Sequence, residues 1–251
     1  MHDHYAVFLD IDGTVYCHGE IVPKNRAAIR LAQQAGHKIC INTARSPADI
    51  PEKIRNADWD AVVSSIGCNV VVGNRTLLNA RIPTQEMARL FDELTAAGYP
   101  LMIEGTTVLL CNHLFAHDGH CISVQNGAEL CENYADEPLA KVFLPGVLPQ
   151  ETQADLDRRY KFFQHRNYAE FSVKGHDKAS GMLLALRAFG TDVSHCIAMG
   201  DSVNDLDMLR CAGISVAMGD ADARVKQICT HVVCNAEDGG VAQALHTLLQ
   251  L

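Results

Sequence analysis

The feature that most constrains the fold of this chain is a short apolar run that ends in two carboxylates and a glycine. The apolar run Tyr5 to Leu9 leads directly into Asp10-Ile11-Asp12-Gly13-Thr14. A continuous apolar run is typical of a parallel strand that is covered on both faces, and ligands of such sheets bind beyond the carboxyl ends of the strands. The pattern therefore predicts that Asp10 lies at a strand tip, where Gly13 allows a sharp turn and the close approach of a ligand.

The spacing of Asp10 and Asp12 suits a two-step group transfer. Alternate side chains of an extended segment project to the same side. The first carboxylate can attack phosphorus and form an acyl phosphate, and the second can protonate the leaving group and later deprotonate water. The alternative is an ordinary acidic turn, because Asp and Gly favour turns on conformational grounds alone.

A second set of carboxylates follows a strand-like run near the far end of the chain. His195 to Met199 leads into Gly200-Asp201-Ser202-Val203-Asn204-Asp205. Acidic groups that converge with Asp10 would repel one another, which favours a bound hard cation such as Mg²⁺. Asp205 would then hold Asp201 or a metal-bound water. Helix capping is the alternative for these two residues, but the first motif favours the metal site.

A third strand-like run, Lys38 to Asn42, ends in Thr43-Ala44-Arg45-Ser46. The hydroxyl of Thr43 and the guanidinium of Arg45 are groups that bind phosphoryl oxygens. The alternative is a helix cap ahead of Pro47.

Two lysines, Lys174 and Lys178, flank a short turn before a predicted helix. A lysine at that point can neutralise charge on Asp10 and on a transferred phosphoryl group. The alternative is a solvated lysine at a helix start.

These four motifs, in this order, resemble the haloacid dehalogenase superfamily of phosphotransferases, and most closely its Cof-type (subfamily IIB) sugar-phosphate phosphatases. The resemblance covers roughly residues 5–80 and 168–251. Three further segments support it: Glu170 to Gly175, Ala217 to Ala221, and Glu237 to Ala242.

The resemblance implies a Mg²⁺-dependent hydrolase of a small organic phosphomonoester, most readily a sugar phosphate, that acts through an aspartyl-phosphate. Asp10 looks like the nucleophile and Asp12 like the general acid and base. The remaining implied contacts are Mg²⁺ at Asp10, the Asp12 carbonyl, Asp201 and Asp205; phosphate at Thr43, Lys178 and Asn204; and possible substrate contacts at Gly13, Arg45 and Asn69.

The order of predicted elements indicates a doubly wound parallel α/β sheet with an inserted α+β module. Strands alternate with helices at both ends of the chain, and one such helix has Ala28, Leu31, Ala32 and Ala35 on its apolar face. A helix from Thr84 to Gly98, a hairpin over 101–111 and a second helix-and-strand round lie between. We expect a core of residues 1–81 and 167–251. By resemblance, residues 82–166 form a C2-type cap that closes over the phosphate and chooses the leaving group.

Composition limits the function classes. A formal net charge of −9 disfavours nucleic-acid binding, and no apolar run is long enough to span a membrane. The expected partner is a small phosphate ester, and the expected state is a monomer or small homo-oligomer. Ten cysteines without a C-x-x-C pair fit free thiols in the cytoplasm. A zinc site at His113, His117 and His120 is weighed against a surface loop, which Asp118-Gly119 favours.

Two other functions remain open. One is a phosphomutase of the phosphomannomutase kind, which uses the same two carboxylates but must exclude water and grip a bisphosphate. The other is a catalytically silent sugar-phosphate sensor on the same scaffold. Phosphate release, isomer formation and the effect of EDTA separate the three.

Overall fold

The computed structural model of the protein describes residues 4–116 and 120–251. Its strands, in chain order, are β1 (Ala6–Leu9), β2 (Tyr16–Cys17), β3 (Glu20–Ile21), β4 (Lys38–Asn42), β5 (Ala61–Ser64), β6 (Asn69–Val72), β7 (Arg75–Asn79), β8 (Met102–Glu104), β9 (Leu109–Cys111), β10 (Ile122–Ser123), β11 (Lys141–Pro145), β12 (Lys161–Gln164), β13 (Tyr168–Ser172), β14 (Cys196–Gly200), β15 (Ile214–Ala217) and β16 (His231–Val232). Its α-helices are α1 (Pro23–Gln34), α2 (Glu52–Arg55), α3 (Thr84–Ala96), α4 (Gly127–Asn133), α5 (Gln150–Arg159), α6 (Lys178–Phe189), α7 (Leu206–Cys211), α8 (Ala223–Ile228) and α9 (Gly240–Leu249).

The first of two compact units contains the residues up to Ala44, Pro51–Leu77 and Asp177–Leu251. Its sheet has the strand order β16-β15-β14-β1-β4-β5-β6-β7. Pairing is parallel from β16 to β5, and β6 runs antiparallel to β5. The predicted doubly wound α/β core is thereby confirmed.

Strand β1 lies inside this sheet, and all four of its residues are buried. Leu9 is in register with Met199 on β14 and with Ile41 on β4. Because these strands are parallel, Asp10, Asn42 and Gly200 reach the same edge of the sheet, where the three motifs were expected to meet.

Helix α6 begins at the predicted lysine. Asp177 is its N-cap, and the Asp177 carboxylate accepts a hydrogen bond from the Ser180 N–H at 2.7 Å. The Ser180 hydroxyl in turn accepts from the Asp177 N–H at 3.0 Å. This reciprocal pair satisfies two N–H groups at the helix start, so the position of Lys178 is fixed by its own neighbours.

Helix α1 ends just before Gly36 as predicted, but its buried face differs from the predicted one. Ala28 and Ala32 are buried as expected, whereas Leu31 is 46% exposed and Ile29 takes the buried place. Positions 29 and 31 lie about 200° apart around a helix, so the buried face is rotated away from the predicted one, and Ala35 is exposed together with Leu31.

The second unit contains Arg45–Ile50 and Leu78–His176. Its sheet has the strand order β10-β9-β8-β11-β13-β12. Helix α3 spans Thr84–Ala96 with Pro83 rather than Thr84 as its N-cap, and its apolar face is buried in this unit's core. The unit ends at His176 rather than 166, because β13 pairs with β11 and β12. The assignment of this unit as an inserted cap domain stays a prediction.

Several further expectations concern single residue types. All ten cysteines are free thiols. His117, one of the three histidines of the zinc site weighed above, lies outside the described residues, as do Asp118 and Gly119. None of the helices within 4–116 and 120–251 combines the length and the apolar character that crossing a bilayer requires.

Candidate active site

Asp10 lies directly beyond β1 and is nearly buried. Its backbone N–H donates to the Met199 carbonyl at 3.1 Å, which extends the β1–β14 pairing into the site. Burial raises the pKa of the Asp10 carboxyl well above its ordinary value, and the Lys178 ammonium opposes that rise, while Asp205 and Asp201 add to it. A positive charge therefore has to accompany Asp10 if it is to act as a carboxylate.

Lys178 supplies one such charge. It is fully buried, and its Nζ donates to Asp10 Oδ1 at 2.7 Å and to Asp205 Oδ1 at 2.5 Å. Burial alone would lower the pKa of Lys178, but the two carboxylates raise it above its usual range, so the ammonium stays charged at neutral pH. Lys174, the other lysine of the motif, instead donates to the carbonyls of Asp157 and Arg158 in the second unit.

Asp205 ties this lysine to the loop that follows β14. Its second oxygen, Oδ2, accepts from the backbone N–H groups of Asp201 at 3.1 Å and Ser202 at 3.0 Å. A Cβ at Gly200 would lie 2.5 Å from the same oxygen, so only glycine permits this approach. Asp205 thus orients both Lys178 and the Asp201 backbone.

The three buried or half-buried carboxylates form a group suited to a metal ion. Ligand oxygens of Asp10, Asp201 and Asp205 lie within 4.8 Å of one another. Burial, followed by the Asp205 carboxylate, raises the pKa of Asp201 to about 7 although Lys178 opposes the rise. Asp201 Oδ1 is buried and has no hydrogen-bond partner in the described part of the chain, and burying such an atom without a partner is costly.

The charge, the donor atoms and the space at this position suit a divalent cation. Three carboxylates against one ammonium leave an excess of negative charge, and an all-oxygen donor set suits a hard ion. Gly13 makes room for it: its φ is +72°, and a Cβ there would lie 2.7 Å from Asp201 Oδ2. The residues present therefore fit a divalent metal at this position.

Asp12 differs from Asp10 in its surroundings. It lies on the turn after β1, where its side chain is exposed, and it forms an isolated bridge with Tyr16. The Ile11 carbonyl accepts from the N–H groups of Thr14, Val15 and Tyr16, which tightens the turn. The Asp10 carboxylate is thus held out of water, whereas the Asp12 carboxylate remains in contact with water.

Two of the predicted phosphate contacts, Thr43 and Asn204, are buried side chains. Thr43 is buried beyond β4, where its N–H donates to the Val63 carbonyl at 2.9 Å. Asn204 is buried, and its Oδ1 accepts from the Ser202 hydroxyl at 2.8 Å.

Two of the possible substrate contacts have protein partners of their own. The Arg45 guanidinium, which belongs to the second unit, donates to Asp49 Oδ2 at 2.8 Å. Asn69 begins β6 and accepts from the Ser64 hydroxyl at 3.2 Å.

A strained loop beyond β5 supports the start of α6. Ser65, Ile66 and Gly67 have φ values of 50°, 57° and 85°, a run of left-handed conformations that is costly for the two non-glycine residues. A Cβ at Gly67 would lie 2.0 Å from the Asp177 carbonyl oxygen. The loop beyond β5 thus makes a tight contact with the N-cap residue of helix α6.

The sequence patterns did not predict two buried polar features. Asn42 is buried, and its Nδ2 donates to the Lys178 carbonyl at 2.9 Å; a polar residue ending a buried strand was the available signal. In the second unit, Lys141 is buried between Glu104 at 2.8 Å and Glu170 at 3.0 Å. Charged residues inside apolar strands were the signal for that group.

Known proteins are similar to this chain over almost its whole length. The family model for haloacid dehalogenase-like hydrolases matches residues 7–245. A Haemophilus influenzae protein named "Putative phosphatase" is 37% identical over 261 residues, covering 96% of each chain. The Bacillus subtilis 5-amino-6-(5-phospho-D-ribitylamino)uracil phosphatase YitU is 24% identical over 271 residues, covering 98% of each.

Solved structures share the fold. The subclass IIB sugar phosphatase BT4131 superposes with a TM-score of 0.83 at 24% identity, over 97% of this chain and 98% of that one.

Proposed function

This chain belongs to the haloacid dehalogenase-like hydrolases and is a phosphatase, and from that premise we propose that it hydrolyses small organic phosphomonoesters with Mg²⁺ through an aspartyl-phosphate. The observation that carries the proposal is the contact of Asp10 with Lys178, beside Asp201 and Asp205. We further propose a sugar phosphate as the substrate, in keeping with the phosphorylated ribityl compound and the sugar phosphates named for two relatives.

In the first step, Asp10 attacks phosphorus, and the bond between phosphorus and the ester oxygen breaks. Lys178 holds Asp10 Oδ1 and stays charged, which favours the ionised nucleophile. Asp12 donates its proton to the leaving alkoxide, a role for which its exposed position on the turn is suited.

In the second step, Asp12 takes a proton from water, and the resulting hydroxide attacks phosphorus. The bond between phosphorus and Asp10 breaks, so that inorganic phosphate and the starting carboxylate are restored. The Thr43 hydroxyl and the Asn204 amide would bind phosphoryl oxygens in both steps.

Mg²⁺, when bound by Asp10, the Asp12 carbonyl and Asp201, supplies Lewis-acid stabilisation of charge on the phosphoryl oxygens. Both Asp205 oxygens already accept hydrogen bonds, from Lys178 and from the Asp201 and Ser202 N–H groups. We therefore assign Asp205 mainly to positioning Lys178 and Asp201.

The phosphomutase alternative requires cationic groups free to grip a second phosphate. Lys141 is buried between two glutamates, while Arg158 and Arg159 both pair with Asp155. These pairings favour a hydrolase. The silent-sensor alternative is disfavoured because Asp10, Asp12, Asp201 and Asp205 are all present. Ten free thiols fit a cytoplasmic enzyme, and a monomer or small homo-oligomer remains our proposal for its assembly.

The test compares Asp10→Asn and Asp12→Asn with Asp136→Asn, an exposed aspartate of the second unit. We expect Asp10→Asn to lower phosphate release from a panel of sugar phosphates by about 10³-fold or more. Asp12→Asn should impair both steps, and Asp136→Asn should have no effect. EDTA should abolish the activity and Mg²⁺ restore it.

Circular dichroism shows whether each variant is folded. Undiminished turnover by folded Asp10→Asn would contradict the proposed nucleophile. Formation of a phosphosugar isomer without phosphate release would favour the mutase.

A further inference from the structure

The first unit contains a cavity of about 420 Å³ whose lining includes none of the carboxylates proposed to bind metal. It lies where α1, the end of β3, α2 and the loop before β5 meet. The residues that matter for its chemistry are Ile21, Arg26, Ile29, Arg30, Lys53 and Trp59. Its volume falls in the range of about 300–1,000 Å³ that is usual for small-molecule sites.

The rim of this cavity concentrates positive charge on an acidic protein. Arg26 and Arg30 are four positions apart on α1, so both side chains project from one helix face. No hydrogen bond or salt bridge joins either guanidinium to a residue within 4–116 or 120–251. Lys53 pairs with Glu20, and Asp58 also lines the cavity. Lys53 and, more weakly, Arg26 lower the pKa of the Glu20 carboxylate, so three cations lie near two carboxylates, in a chain whose net charge is −9.

Another part of the lining is aromatic and held by a hydrogen bond. Trp59, the sole tryptophan of the chain, is half-buried, and its Nε1–H donates to the Ile54 carbonyl at 2.7 Å. Ile21 and Ile29 are almost fully buried beside the cavity. Gln33 on α1 donates to the Asp58 carbonyl at 2.7 Å, which links the helix carrying the arginines to the loop carrying the indole.

We propose that this cavity binds a small aromatic phosphate of the nucleotide class, separately from the carboxylate site. Guanidinium groups bind phosphate through paired, charge-assisted hydrogen bonds. An indole beside apolar side chains provides a stacking surface that any nucleobase can use. The phosphate lies between Arg26 and Arg30, and the base lies against Trp59. Since none of these groups is a nucleophile, the ligand is held rather than hydrolysed.

The single tryptophan makes the test direct, because quenching of its fluorescence reports on this wall alone. The probe is the phosphonate analogue of AMP, in which a methylene replaces the ester oxygen and prevents hydrolysis. Excitation at the red edge of the indole band avoids absorption by adenine. We expect saturable quenching by the phosphonate that is equal in Mg²⁺ and in EDTA, and at least tenfold weaker binding of adenosine.

The double variant Arg26→Gln/Arg30→Gln should weaken phosphonate binding by about tenfold or more. Arg75→Gln, which changes an exposed arginine on β7, is the matched control and should bind as the unchanged protein does. Asp10→Asn should also leave the affinity unchanged, which separates this proposal from the fate of the proposed phosphatase site.

Isothermal titration calorimetry checks the affinity independently of fluorescence. Three results would overturn the proposal: no saturable binding, binding that requires Mg²⁺ or Asp10, or binding that is insensitive to the loss of both arginines. Each of these would assign the cavity to solvent or the ligand to the carboxylate site.

Discussion

Asp10, Lys178 and Asp205 place a buried ammonium between two carboxylates, with Asp201 adjacent. Removing charges from water costs several kcal/mol per ion, and mutual attraction offsets only part of that cost. Such a group is better explained by the orientation it gives the nucleophile than by a net gain in stability. The unsatisfied oxygen of Asp201 is the point at which a bound cation would relieve the remaining cost.

Binding of Mg²⁺ should depend on pH through Asp201. In the absence of metal its folded-state pKa of about 7 exceeds the ordinary value of 3.8, so the folded state holds a proton that the unfolded state releases. The stability contributed by this group is therefore full below about pH 4 and is lost as pH rises towards 7. Mg²⁺ needs the carboxylate, so its affinity should fall as pH decreases below about 7.

Titration calorimetry with Mg²⁺ at a series of pH values, together with thermal unfolding in EDTA, measures both effects. Glu132→Gln removes one negative charge at an exposed site of the second unit. Its Mg²⁺ affinity should vary with pH as that of the unchanged protein does. An Mg²⁺ affinity that stays constant between about pH 5 and 8 would show that Asp201 is ionised without the metal.

Alanine substitutions at two glycines, Gly67 in the strained loop beyond β5 and Gly73, should differ in their effect on stability. Gly67→Ala should cost about 3 kcal/mol or more, because φ is +85° and the new Cβ would meet the Asp177 carbonyl. Gly73→Ala also has a positive φ, of +54°, but has open space around it, and should cost only about 1–2 kcal/mol. Urea unfolding measures both, and equal losses would mean that the loop simply moves aside.

At the scale of secondary-structure elements, strands β8, β11 and β13 share one buried charge cluster. Lys141 is in register with Glu104 and lies between that residue and Glu170, and His165 Nε2 is 3.0 Å from Glu170 Oε1. The Ser46 N–H also donates to Glu104, at 3.2 Å. Burial would raise the pKa of Glu170, but Lys141 and His165 hold it well below its ordinary value. Three strands are thus joined through side chains as well as through their backbones.

Lys141→Met should therefore destabilise the protein by about 3–5 kcal/mol, because it leaves two buried carboxylates without their cation. Lys24→Met, at an exposed position of α1, should change stability by less than about 0.5 kcal/mol. Urea unfolding gives both values. Adding Glu104→Gln and Glu170→Gln to Lys141→Met should recover part of the loss, and failure to do so would mean that packing rather than charge determines it.

Local sequence patterns predicted the helices and strands better than they predicted which strands and side chains pair with one another. The tips of β1, β4 and β14 could be inferred because each has a polar motif directly after an apolar run, and parallel pairing brings such tips together. The Lys141 cluster could not be inferred, since it depends on the register of β8, β11 and β13. The predicted boundary at 166 differs from the end of the compact second unit at His176, where the pairing of β13 with β11 and β12 keeps that strand in the second unit. The sequence analysis did not consider the pairing of Arg45 with Asp49 four residues on, and the role of Arg45 at the substrate stays a prediction.

At the scale of the whole molecule, the three carboxylates proposed to bind Mg²⁺ all belong to the first unit. A ligand that binds only the folded state stabilises it by about 2.7 kcal/mol at a concentration 100 times its Kd. Mg²⁺ should therefore raise the melting temperature and slow amide hydrogen exchange in β1, β14 and the first turn of α6. Exchange in β8, β11 and β13 should change little. Equal protection of both sheets by Mg²⁺, measured by mass spectrometry, would contradict a site confined to the first unit.

The pairing of β1 with β14 has a consequence for biosynthesis. Ala6 leaves the ribosome early, but its partner Cys196 is translated much later. At about 5–20 residues per second, that delay lasts roughly ten to forty seconds. Throughout this interval one hydrogen-bonding edge of an apolar strand is open to neighbouring nascent chains. Slow translation or chaperone shortage should therefore harm the yield of this protein more than that of a chain whose adjacent strands are made in succession.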